Sequence, residues 1–228
     1  MKFKLLIAIL GTVLFMSCSK EQVYIQIGEN PSTRVSYGAE RLKAAFDAAN
    51  FDAVITNSMD VTESLTIRIS VAEADSLAKE DKEGYKITRE NNLITVVGYD
   101  ASGALYGCID LVNMLKDNDH KLPQTIDMDE KPNMVLRGAC VGVQKPYYLP
   151  GRHVYEYPYT EEVFPWFYDK QLWIEYMDML VDNKMNSLYL WNGHPFASLV
   201  KLEDYPFAVE VDQATFKKNE ELYAFLTE

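Results

Sequence analysis

Hydrophobic and polar positions follow two different periods along this chain. Val23-Tyr24-Ile25-Gln26-Ile27 alternates with a period of two and predicts a short strand. From Ser36 to Ala49 the apolar residues Tyr37, Leu42, Ala45, Phe46 and Ala49 fall on one side of a helix. Ser64–Val71 alternates again and predicts a second strand. Tyr85–Thr88 and Leu93–Val97 flank Glu90-Asn91-Asn92, the pattern of a hairpin. Asp100 or Ser102 then caps a helix reaching about Leu115, with Leu105, Ile109, Val112 and Leu115 at helical spacing.

The periodicity breaks at residues 121–133, where two prolines sit in a polar, acidic stretch that reads as a linker. Met134–Val143 is apolar, and its small residues Gly138, Ala139 and Gly142 suit strands that close tightly. A long aromatic segment follows between 147 and 168. Asp169 caps a helix over Lys170–Asn183 whose Leu172, Trp173, Tyr176, Met177 and Leu180 form one stripe. A strand over 185–191, a loop, and a helix capped by Asp212 complete the order β, loop, α, β, loop, α. That order begins a β/α repeat, in which ligands bind at the carboxyl ends of the strands. Trp191, Asn192 and His194 fall at such an end and are candidate binding residues. The expected organisation is a leader over 1–18, an accessory α/β domain over 19–120, a linker over 121–133 and a second domain from 134 to 228.

Charge narrows the partners. The 228 residues carry a formal net charge of -12, which argues against nucleic acid, whose phosphates require clustered Lys and Arg. Lys2 and Lys4 precede an apolar run from Leu5 to Met16, too short to span a bilayer comfortably and of the right length for an export signal. The run ends in Ser17-Cys18, which resembles the lipobox of bacterial lipoproteins, with Phe15 where Leu is usual. The resemblance implies lipidation of Cys18 and a chain anchored to a bacterial membrane, periplasmic or at the cell surface; the other reading is an ordinary cleaved signal. Cys108 and Cys140 both sit in apolar company and are expected to be buried free thiols, a disulfide between them in an exported chain being the other reading. His120, His153 and His194 have no ligand spacing, so no metal is expected; no cofactor is expected either.

A family resemblance rests on three stretches. Gly84-Tyr85, Gly98-Tyr99-Asp100 and Gly103-Ala104-Leu105-Tyr106-Gly107 resemble the accessory domain that precedes the catalytic barrel in exported β-hexosaminidases and α-glucuronidases. "MVLRGACVG" looks like the first barrel strand of those enzymes, and "WIEYMDMLVDNKMNSLYLWNGHPF" like their first barrel helix and second strand. The resemblance implies an α/β fold: a small α+β accessory domain followed by the first two βα units of a (β/α)8 barrel. It implies hydrolysis of O-glycosyl bonds, with an oligosaccharide or glycan as partner. It also implies that Arg137 binds the hydroxyls of a terminal sugar, since a guanidinium offers several donors in fixed geometry; a structural ion pair is the other reading.

A complete barrel takes about 250 residues, whereas residues 133–228 hold two βα units. Glycoside hydrolysis needs a carboxyl pair, or one carboxyl group and the substrate's acetamido group. In hexosaminidases these acids come from later strands. Glu161, Glu162, Asp169, Glu203 and Asp204 read as loop charges or helix caps, so no catalytic residue is assigned. The expectation is the front part of a longer glycoside hydrolase, inactive by itself; the alternative is a carbohydrate-binding lipoprotein without catalysis, its Arg137 and aromatic segment holding the glycan.

Overall fold

The computed structural model describes residues 20–58, 63–72, 82–153, 157–191 and 198–227. Two compact units meet at the Asn133–Met134 junction.

In the first unit, strands β1 (Gln22–Gln26), β2 (Asp52–Thr56), β3 (Leu65–Val71), β4 (Tyr85–Glu90), β5 (Leu93–Gly98) and β6 (Asp127–Glu130) form one sheet in the order β2-β1-β3-β5-β4-β6. The β2, β1, β3 and β5 strands are parallel, while β4 runs antiparallel to both β5 and β6. Helices α1 (Thr33–Ala48) and α2 (Ala101–Asp117) pack on each other and on the sheet. Strand alternation explains the core: Val23, Ile25, Ile67, Ile69, Ile87, Ile94 and Val96 are buried, as are Leu42 and Phe46 of α1 and Leu105, Ile109 and Leu111 of α2. Most of the intervening strand residues stay polar, and Arg68 donates to Gln26 across β1 and β3 at 3.1 Å.

Three features depart from the sequence reading. Helix α1 begins three residues before Ser36, because the Ser32 hydroxyl accepts from the Val35 N–H and starts the helix there. Strand β2 was not foreseen; it pairs residue for residue with β1, Gln22 opposite Asp52. The stretch read as a linker supplies β6, an edge strand with the sequence Asp-Met-Asp-Glu whose pairing with β4 comes from main-chain hydrogen bonds and not from apolar alternation.

The residues behind the family resemblance make a structural clasp. Asp100 caps α2 by accepting from the Gly103 N–H at 2.8 Å, and its other oxygen accepts from the Glu83 N–H at 3.0 Å. The Tyr99 N–H donates to the Gly84 carbonyl at 2.8 Å. A Cβ on Gly103 would stand 1.9 Å from that same carbonyl oxygen, so only glycine admits the approach. Tyr85 donates a short hydrogen bond to Asp110, and burial, then that carboxylate, drives the phenol's pKa far above its usual value.

The second unit holds β7 (Gly138–Gly142) and β8 (Ser187–Trp191), a parallel pair, with helices α3 (Lys170–Asp182) and α4 (Gln213–Thr227). Asp169 caps α3 through the Leu172 N–H at 3.1 Å, and Asp212 caps α4 through the Thr215 N–H at 2.7 Å. The aromatic segment after β7 is the core of this unit. Tyr157, Tyr159, Phe164 and Phe167 are buried with Val143, Trp173 and Leu222, and the Tyr159 and Phe167 rings meet at a tilt with 4.8 Å between centroids. The buried rings of this segment are thus occupied in packing, while Tyr147 and Tyr148 remain exposed.

Cysteine placement needs one correction. Cys108 is buried in α2 and its thiol pKa is raised well above the usual value by burial, but Cys140 is exposed. Cys140 occupies the face of the β7–β8 pair that also carries the exposed Tyr189, its register partner. Among the described residues no helix is long and apolar enough to cross a membrane.

Candidate functional site

The β7–β8 pair fixes which end of the second unit is which. Gly138 lies opposite Ser187 and Gly142 opposite Trp191, so both strands end together at Gly142 and Trp191. Side chains alternate across the pair. Leu188 and Leu190 pack on the aromatic core, while Tyr189 and Trp191 are 62% and 51% exposed on the other face. The residue opposite Trp191 is Gly142, which has no side chain to cover the indole. At this end the Trp191 carbonyl accepts from the Val143 N–H at 3.0 Å, holding the two strand exits side by side.

Arg137 stands at the other end. It precedes the first residue of β7, and its guanidinium donates to the Lys184 carbonyl at 2.9 Å and to the Met134 carbonyl at 2.8 Å. Its main chain is tied to the same turn: its N–H donates to Asn186 Oδ1 at 2.9 Å, and its carbonyl accepts from Asn186 and Ser187 N–H groups at 2.8 and 3.0 Å. Arg137 thus stitches the α3–β8 turn to the amino end of β7 and is not gathered with Trp191. The strand begins one residue after it, which the composition of Met134–Val143 did not reveal. Asn192 and His194 lie outside the described residues, as does Cys18.

Applying the carboxyl-end argument to β7 identifies two residues that the sequence reading passed over. Gln144 and Lys145 leave β7 at the same end as Trp191; Gln144 is exposed, and Lys145 Nζ lies 5.4 Å from the centroid of Phe164. Their signal was available: polar residues immediately after an apolar strand.

One buried amide ties the two loops leaving this end. Asn219 of α4 is fully buried; its amide donates to the carbonyls of Tyr159 and Ser198 at 3.1 Å each, and its oxygen accepts from the Tyr168 hydroxyl at 2.5 Å. The Ser198 hydroxyl accepts from the Tyr159 N–H at 2.8 Å. Both the segment after β7 and the one after β8 are therefore fixed to α4. Burial, with the Glu161 charge nearby, pushes the Tyr168 phenol up to about 12 against the opposing Asn219 bond.

Two of the acidic residues weighed above have structural occupations. Glu161 pairs with Lys218 at 2.5 Å, and Asp169 caps α3. Among the described residues no group of three His, Cys, Asp or Glu side chains is placed to hold a metal ion.

Comparison with known proteins follows the same division. Residues 19–128 match the family model "Glycosyl hydrolase family 20, domain 2". Among solved structures, a GH138 enzyme targeting pectin rhamnogalacturonan II is 47% identical, with a TM-score of 0.80, over 90% of this chain and 29% of its own. A GH115 4-O-methyl-α-glucuronidase with specificity for decorated arabinogalactans superposes with a TM-score of 0.54 at 13% identity, over 88% of this chain and 28% of its own. The chitobiase of Flavobacterium johnsoniae gives a TM-score of 0.54 at 15% identity, over 92% of this chain and 30% of its own. These last two show likeness of fold. No curated protein matches the chain. The first unit thus matches an accessory domain found in glycoside hydrolases, and the chain spans less than a third of the length of each of these three structures.

Proposed function

We propose that this chain is the front of a glycoside hydrolase acting on a pectic glycan, with sugar-binding groups at the carboxyl ends of β7 and β8. The observation that carries this reading is the 47% identity to the rhamnogalacturonan II enzyme over 90% of the chain. Trp191 offers an exposed ring for a sugar's C–H face, and Asn192 and His194 offer hydrogen bonds to hydroxyls. Gln144 and Lys145 extend the same rim. Arg137, engaged at the opposite end, keeps a structural place. The acid pair that the chemistry needs is assigned to βα units beyond these two, so the 228-residue chain by itself turns over no glycoside. Export and lipidation of Cys18 would place the enzyme at a bacterial membrane, where large extracellular glycans are met.

The test compares release of reducing sugar from rhamnogalacturonan II by the 228-residue chain and by the same chain joined to the remaining part of the GH138 relative. Activity only in the joined protein, with KM raised by Trp191→Ala, is expected. Turnover by the short chain would overturn its assignment as an inactive front, and an inactive but folded joined protein would overturn the glycosidase reading. Anchoring is tested separately: Cys18→Ser should release the protein from the membrane fraction.

A further inference from the structure

We propose that the first unit holds a neutral oligosaccharide in a cleft under the β4–β5 hairpin, separate from the strand ends of the second unit. The cleft encloses about 490 Å³, within the range of roughly 300–1,000 Å³ usual for small-molecule sites. Phe51 and Leu65 form an apolar floor with the buried Phe46 and Leu115 among its lining, and Phe46 meets Phe51 edge to face at 5.5 Å. Such a floor suits the C–H face of a pyranose ring.

The rim is polar and balanced in charge. Glu21 and Glu63 are offset by Arg89 and Lys121, and Asn92 and Gln124 add two amides. A chain of net charge -12 here presents no excess of either sign, so the cleft favours a ligand with many hydroxyls and no net charge over an anion or cation. Both carboxylates and donors are present to satisfy hydroxyl groups in their two roles.

The cleft is also held in shape. Arg89 donates to the Asn91 carbonyl at 3.0 Å and to the carbonyls of Leu122 and Pro123 at 3.1 and 2.6 Å, tying the hairpin to the segment that follows α2. The Asn92 amide donates to the Glu63 carbonyl at 2.6 Å across the mouth. Among the positive-φ residues, His120 lines the cleft, and Asn50, Asn91 and Asp119 each immediately precede a lining residue in the chain. Asn, Asp and His adopt left-handed backbone readily after helix ends and in turns, so the chain turns tightly at the border of the cleft.

The choice of a saccharide as ligand rests on the glycan-hydrolase reading; the cleft itself does not. The test titrates the 228-residue chain with galactotriose, tri-galacturonate and an apolar anilinonaphthalene dye, followed by amide NMR shifts and calorimetry. Galactotriose should shift the Asn92 and Gln124 amides saturably, and the exposed pair Lys121→Ala and Gln124→Ala should weaken it about tenfold with an unchanged spectrum elsewhere. Trp191→Ala should leave this binding intact. Asn92→Ala serves as a second variant. No shift in the first unit with any probe overturns the proposal; stronger binding of tri-galacturonate or of the dye overturns the ligand class. Binding lost with Trp191→Ala and kept in the cleft variants overturns the cleft while sustaining the glycan reading. Cleft binding together with an inactive joined enzyme would sustain the cleft and remove the hydrolase.

Discussion

Replacing Asp100 by Ala removes both ends of the clasp that starts α2. The first loss is the cap to the Gly103 N–H at 2.8 Å, which contributes about 1 kcal/mol. The second is the bond from the Glu83 N–H at 3.0 Å, for which about another 1 kcal/mol is reasonable. Together, about 2 kcal/mol should raise the open population of the first unit about 30-fold. Cys108 reads that population, since it lies on α2, is buried, and has a thiol that burial pushes toward the unreactive protonated form. In a Cys18→Ser, Cys140→Ser background, trapping by a thiol reagent follows the equilibrium when closing outpaces reaction. Asp100→Asn keeps a good capping residue but offers one accepting oxygen in place of two, so about 1 kcal/mol and roughly fivefold faster trapping are expected. All three tryptophans, at 166, 173 and 191, belong to the second unit, and their fluorescence should not change. Trapping accelerated less than twofold by Asp100→Ala, or equally by Asp100→Asn and Asp100→Ala, would refute the two-bond account. Gly103→Ala, forcing a Cβ to 1.9 Å from the Gly84 oxygen, should exceed either.

Asn219→Ala leaves two buried carbonyls and the Tyr168 hydroxyl without this partner, at about 2–4 kcal/mol, read as an earlier urea midpoint in tryptophan fluorescence; a midpoint unchanged from the parent would show that the buried amide is dispensable. With Cys18 replaced, Ellman's reagent should titrate Cys140 at once and Cys108 only after denaturant is added, an order opposite to which would contradict their burial. The second unit should lose stability as pH rises from about 10 to about 12: the Tyr168 phenol is held protonated in the fold, whereas the unfolded phenol ionises first, so the unfolded state binds fewer protons across that window. Urea midpoints at pH 9 and 11.5 check the sign, and Tyr168→Phe should flatten the slope.

What the sequence settled by itself was local. Asp169 and Asp212 announce the starts of α3 and α4 because a cap acts on an N–H three residues away, while at α2 the sequence offers Asp100 or Ser102 and the fold uses Asp100. The hairpin is equally legible, since its turn needs only Asn91 at a φ of 54° between two alternating runs. The order of β/α elements in the second unit follows from periods that change along the chain, and with it the end at which Trp191 stands.

Tertiary structure decided the rest, wherever a residue's role depends on a distant partner. Asp-Met-Asp-Glu becomes β6 only because β4 offers it a main-chain ladder. The aromatic rings between 157 and 168 look equally fit for a glycan or a core, and the choice is made by α3 and α4, which cover them. Cys140 and Val141 are sequence neighbours, but alternation along β7 exposes the first and half-buries the second. Arg137 carries the same guanidinium at either end of a strand. Its place at the amino end, bonded to the turn before β8, follows from where the β7–β8 register begins. Register is a property of two strands together, and a single sequence pattern cannot state it.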